Sequence, residues 1–173
     1  MAIGRVYNVD SGLTTGIAIG SGGTPGTEYV VMYGVTTGEF NVSAVRVGTY
    51  SGSSASYPSN GTITWRLRHV SGTPTGTLVG TATAAPIGQS TTAALSSWIY
   101  ATANGSGTAS FATYSNVLWE QTTPCTAGAN WGEWFTPGFE LNQTVGTMAL
   151  TYELGAAGTT SAVNLMAGLV ISE

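Results

Sequence analysis

Residues Thr62 to Thr83 read T-I-T-W-R-L-R-H-V (62–70), S-G-T-P-T-G (71–76) and T-L-V-G-T-A-T (77–83). The first run alternates. Ile63, Trp65, Leu67 and His69 fall on one face, and Thr64, Arg66, Arg68 and Val70 on the other. Period 2 in β-branched and aromatic residues predicts a half-buried strand. Its register is strongly specified, because a slip of one residue would carry both arginines into the core. Arg66 and Arg68 are therefore expected to lean outward, where water or a neighbour meets them. Pro74 presets one φ and the flanking glycines permit positive φ, so 71–76 reads as a turn. A second β run follows, and the inner face of the pair is expected to build the core of a sandwich.

The same pattern extends in both directions. Glu28–Val35 (E-Y-V-V-M-Y-G-V) is apolar on both faces, as a central or covered strand would be. Phe40–Tyr50 reads as a strand whose core face stays open: Phe40, Val42, Ala44 and Arg46 lie on one side, Asn41, Ser43, Val45 and Val47 on the other. Residues 51–61 form a loop by their Pro58 and Asn60-Gly61. Residues 91–103 suit either a short helix or an irregular edge strand. Ser110–Tyr114 and Asn116–Gln121 read as strand pieces flanking a bend, and Thr122–Asn130 as a loop. Trp131–Phe135 opens an aromatic-rich edge. Thr144–Leu154, with Met148, Leu150 and Tyr152 on one face, and the alternating Val163, Leu165, Ala167, Leu169 and Ile171 complete the set. Turn signals about every 10 residues imply an all-β antiparallel sandwich, jelly-roll-like if eight strands form it. Residues 28–173 are expected to be one such domain. Residues 1–27, rich in glycine, read as an extended N-terminal arm or lead-in, or as a loose terminus. Tyr7, Leu13, Ile17 and Ile19 are available to dock it on a sheet or a neighbouring subunit.

Composition narrows the function. Charged residues are 7% of the 173, against roughly 25% in typical soluble chains. There is no lysine, and the cations are Arg5, Arg46, Arg66 and Arg68. A net charge of −4 without a basic stripe argues against nucleic acid, whose phosphates demand cations. No run of about 20 apolar residues offers a membrane span, and the first residues lack the pattern of a signal peptide. One cysteine, Cys125, excludes an internal disulfide framework, so synthesis in a host cytoplasm is expected. Sparse charge also suits a chain packed against neighbours rather than one alone in water.

Motifs for chemistry are thin. Cys125 and His69 are the available nucleophile and base, yet nothing in their spacing brings them together. Glu120, Glu133 and Glu140 lie near Trp119, Trp131 and Trp134. Carboxylates flanked by aromatics suit glycoside cleavage or sugar binding, and equally a rim around core and interface tryptophans. One His, one Cys and one Asp, Asp10, cannot cage a transition metal. No phosphate loop or dinucleotide fingerprint is present. No catalytic residue, metal ligand or cofactor is expected.

Three stretches carry a resemblance. They are I-T-W-R-L-R-H-V leading into S-G-T-P-T-G-T-L; W-G-E-W-F followed by P-G-F-E-L and T-V-G-T-M-A-L-T-Y; and the final A-V-N-L-M-A-G-L-V-I-S-E. With these the chain resembles small all-β virion proteins of tailed bacteriophages, of the capsid decoration or cement kind. The resemblance implies a β-sandwich, commonly a homotrimer, that sits on the lattice of the major capsid protein and stabilises joints between its subunits. It carries over no catalytic residues, and the glycine-rich start departs from compact decoration domains. The interface residues expected are Trp131, Trp134, Phe135, Arg66 and Arg68. Four large aromatics, Trp131, Trp134, Phe135 and Phe139, fall within nine residues interrupted by Gly132, Pro137 and Gly138, so one strand cannot turn all of them inward. The competing reading is a carbohydrate-binding module or receptor-binding fibre head, its exposed aromatics stacking on sugar rings.

Overall fold

A computed structural model describes residues 5–10, 17–19, 26–36, 38–50, 61–75, 78–82, 84–87, 94, 97–101, 110–125, 131–137, 141–143, 146–155 and 163–173. Its regular elements are all strands: β1 (Val6–Asp10), β2 (Ile17–Ile19), β3 (Glu28–Thr36), β4 (Phe40–Tyr50), β5 (Gly61–Val70), β6 (Leu78–Ala82), β7 (Ala85–Pro86), β8 (Ser97–Ala101), β9 (Tyr114–Cys125), β10 (Trp131–Phe135), β11 (Leu141–Gln143), β12 (Gly146–Leu154) and β13 (Val163–Ser172). They form two antiparallel sheets. The first runs β10-β4-β13-β1-β7, with β11 also on β4 and β2 also on β13; the second runs β6-β8-β3-β12-β5-β9. One core lies between them. Tyr7, Val9, Phe40, Val42, Val45, Val47, Leu165, Leu169 and Ile171 enter it from the first sheet, and Tyr29, Val31, Ile63, Trp65, Leu67, Trp98, Met148, Leu150 and Tyr152 from the second. The chain is an all-β sandwich.

The deciding strand, β5, lies between β12 and β9. Ile63, Trp65 and Leu67 are wholly buried. The Trp65 indole N–H donates to Thr123 Oγ1 at 2.9 Å, so the large apolar ring is buried with its polar atom satisfied. Arg66 and Arg68 lie on the opposite face, but their side chains are only 16% and 17% exposed. Carboxylates from neighbouring strands enclose them.

The open question in β4 is settled by a bulge. Val170 pairs with Ala44 and Ile171 with Val42, leaving Ser43 as an extra residue. An inserted residue reverses the alternation, so Phe40 and Val42 point inward before it and Val45 and Val47 point inward after it. Each face of the alternating pattern is thus core-facing over half of the strand. The Ser43 hydroxyl donates to the Val170 carbonyl at 3.2 Å. A similar shift at Val31, between the pairs Leu150↔Met32 and Thr151↔Val30, puts both Val31 and Met32 in the core. It accounts for the unbroken apolar run of β3.

Two segments differ from the expectation. Within 91–103, residues 97–101 are β8, an interior strand between β6 and β3. Trp98 sits opposite Gly34, where an added Cβ would lie 2.6 Å from the indole carbons. The ring uses the space that a side chain at 34 would fill. Residues 114–125 form one long strand rather than two pieces and a loop; its register on β5 shifts at Leu118 and again between Val117 and Tyr114, where the bend was expected, and Pro124 is tolerated because β9 is an edge strand. Within the glycine-rich start, Val6–Asp10 pairs along β13 and buries Tyr7 and Val9 in the common core. Of the loop expected at 51–61, residues 51–60 lie outside the described residues and Gly61 begins β5.

Candidate functional site

The aromatic edge begins with the pairing of β10 on β4, from Trp131↔Thr49 to Phe135↔Val45. Alternation divides its side chains. Phe135 shares the side of Val45 and is half-buried, its ring 5.7 Å from Trp119 of β9. It therefore bridges the edges of the two sheets. Trp134 shares the side of Arg46, faces outward and is 45% exposed. Glu133 is exposed beside it. The side chain of Trp131, and Phe139 and Glu140, lie outside the described residues.

Trp134 does not stand alone. The registers Trp134↔Arg46, Arg46↔Gly168 and Gly168↔Asp10 line four residues in one row across β10, β4, β13 and β1. The Arg46 guanidinium carbon lies 5.8 Å from the indole centroid, and its Nη1 lies 3.4 Å from Asp10 Oδ2. Gly168 keeps the strip between them clear: a Cβ there would come within 3.1 Å of the Val9 carbonyl oxygen and 3.6 Å of Arg46 Cβ. The ion pair positions the guanidinium, and the guanidinium positions the ring. A cation–π contact at an exposed site contributes about 0.5–1 kcal/mol. Its larger effect is to order a large side chain before any partner arrives, which lowers the entropic cost of binding. Sequence alone marked Trp134 but not Arg46, Asp10 or Gly168. The available signal was an isolated arginine inside a strand of a chain that has no lysine.

Arg66 and Arg68 belong to a different face. Arg66 Nε bonds Glu120 Oε2 at 2.6 Å, and its Nη1 bonds Glu153 Oε2 at 2.5 Å with Glu28 Oε2 at 3.5 Å. Arg68 Nε bonds Glu28 Oε1 at 2.6 Å, and the Thr151 hydroxyl donates to that same oxygen. Four neighbouring strands thus converge on the outer face of the second sheet. Burial alone would lower the Arg66 pKa, but hydrogen bonds to Glu153 and Glu120 and the charges of Glu153 and Glu28 raise it above the ordinary value. These arginines spend their donors inside the chain.

The remaining pairings do not assemble. His69 sits opposite Met148, while Cys125 sits opposite Gly61 at the other end of β5. Eight residues of strand put their backbones on the order of 26 Å apart. Glu120 is bound to Arg66 on the second sheet, whereas Glu133 is on the edge of the first. Among the described residues no group of three or more His, Cys, Asp or Glu side chains is arranged to hold a metal, and no helix is long and apolar enough to cross a membrane. What the row can do is present an ordered aromatic anchor on a rigid sheet. Comparisons with protein-family models, with curated proteins and with solved structures found no match to this chain.

Proposed function

We propose that the protein is a non-enzymatic structural protein of a bacteriophage virion. It decorates or cements the capsid surface as a homotrimer, stabilising contacts between subunits of the major capsid protein. The observation that carries this reading is Trp134, 45% exposed yet held in place by Arg46. An aromatic already ordered on a rigid sheet is the usual form of an interface hot spot. The sparse charge supports the same reading, since few groups need desolvating on contact. The resemblance of the β5, β10 and β13 stretches to decoration proteins supplies the lattice as partner.

The test is mass spectrometry of gradient-purified particles from cells expressing the chain with its capsid protein. The expected result is the chain at a fixed ratio to capsid protein, and particles that break at lower temperature when it is left out. A chain that stays in the soluble fraction contradicts the reading. The same exposed indole, beside the Arg46–Asp10 pair, also favours a second reading as a carbohydrate-binding module or fibre head. Glycan-array binding that is lost in Trp134→Ala, with no association with particles, would select it.

A further inference from the structure

The outer face of the second sheet carries its own small core. Val30 and Tyr33 of β3, Ala149 of β12 and Val70 of β5 are buried there with Phe111, apart from the main core between the sheets. Phe111 reaches them from the segment that precedes β9. Its ring packs edge-on against Tyr33 at 5.6 Å and against Tyr114 at 6.2 Å. One end of this segment is tied to residue 75: the Thr75 amide donates to the Ser110 carbonyl at 2.8 Å, and the Ser110 amide to the Thr75 carbonyl at 3.0 Å. The other end is tied through Arg68. Its Nη1 donates to the Ser115 carbonyl at 3.0 Å, and its guanidinium carbon lies 5.7 Å from the Tyr114 ring. The Tyr114 hydroxyl accepts from the Phe111 amide at 3.1 Å and donates to the Glu28 carbonyl at 3.2 Å.

We propose that residues 110–115 form a releasable strap, latched by Arg68 and Tyr114, over an apolar patch on the outer face of the second sheet. Three features make it releasable. Its single large apolar anchor, Phe111, lies outside the main core, so lifting it leaves the sandwich closed. Its latches are a few polar contacts, the Ser115 hydroxyl donating to the His69 carbonyl at 2.8 Å among them, and the terminal pair Val70↔Tyr114 of β9, which fray open locally at a lower free energy than the global transition. Arg68 is shared with Glu28, so the latch belongs to the charged network of the sheet rather than to the strap. Opening uncovers Val30, Tyr33, Val70 and Ala149 together.

Native-state hydrogen exchange tests this directly. In the wild-type chain the amides of Thr75, Ser110 and Phe111 are expected to exchange through a local opening, well before amides at the centre of β4 and β13. Arg68→Met, which keeps an apolar stem but removes the charge, is expected to speed their exchange roughly tenfold or more while β4 and β13 change far less. Tyr114→Phe, which removes only the hydroxyl, carries the same test where Arg68→Met does not fold. Strap amides that exchange in step with β4 and β13 in the wild type overturn the proposal. So does a latch variant that folds and leaves the strap rates unchanged.

Discussion

Trp65 joins the two requirements that a sandwich core makes of a large side chain. Its ring is wholly buried beside Tyr152, with centroids 6.5 Å apart, and its N–H is bonded to Thr123. Trp65→Ala removes the ring and leaves the Thr123 hydroxyl without its donor. The expected loss is about 3–5 kcal/mol, read from urea melts; an unchanged midpoint would put Trp65 on the surface. Gly34 has the opposite role, since it matters by what it lacks. Gly34→Val drives carbon into the Trp98 indole and is expected to cost about 1–3 kcal/mol in the same assay. A neutral result would mean that Trp98 does not cover this position. Tyrosines set the alkaline limit. Burial raises the pKa of Tyr33, Tyr114 and Tyr152 above the ordinary phenol value. Each phenol therefore keeps its proton to higher pH in the folded chain than in the unfolded one. Their contribution is fully present below about pH 10 and is lost as pH rises beyond it. Urea midpoints that fall between about pH 8 and about pH 11 are expected, and a flat profile would contradict buried phenols.

Strands in this chain were legible where the alternation was unbroken and obscured where a bulge reset it. β5, β12 and β13 read correctly because each keeps one phase across its core-facing residues. β4 gave two half-patterns, and only the pairing of Ser172 to Leu169 with Asn41 to Val45 shows that Ser43 joins them. β8 was ambiguous because small residues precede Trp98, and its interior place depends on β3 and β6, which are distant in sequence. Crowding of aromatics required some ring of 131–139 to leave the core without saying which, and the fold turns Trp134 outward. The row that holds it did not, because Asp10, Arg46, Gly168 and Trp134 are brought together by register alone. The ion network was illegible for the same reason. Its expected behaviour is specific: Arg66→Met leaves Glu28, Glu120 and Glu153 facing one another without their shared cation. Because Glu120 is half exposed, the loss should be about 1–3 kcal/mol, below that of a fully buried pair. Part of it should return at high salt, which screens the remaining repulsion. Melts of the variant that show no loss, or a loss insensitive to salt, would remove the network as a source of stability.

At the scale of the whole molecule, the two outer faces are treated differently. That of the second sheet is occupied by the chain itself, with the charged network in its middle and residues 110–115 folded across one end. That of the first sheet bears an oriented, exposed tryptophan beside its edge. Two sheets sharing one core make a stiff platform, and a stiff platform is what a docking anchor needs. Trp134→Ala is accordingly expected to weaken association by roughly 2 kcal/mol or more while leaving the urea midpoint of the free chain nearly unchanged; a large loss of folding stability would make Trp134 a core residue instead. The most direct test of the docking claim is oxidative footprinting of Trp134 in the free chain and in the assembled particle. The account predicts ready oxidation of the indole in the free chain and strong protection in the particle. Equal oxidation in both would contradict it.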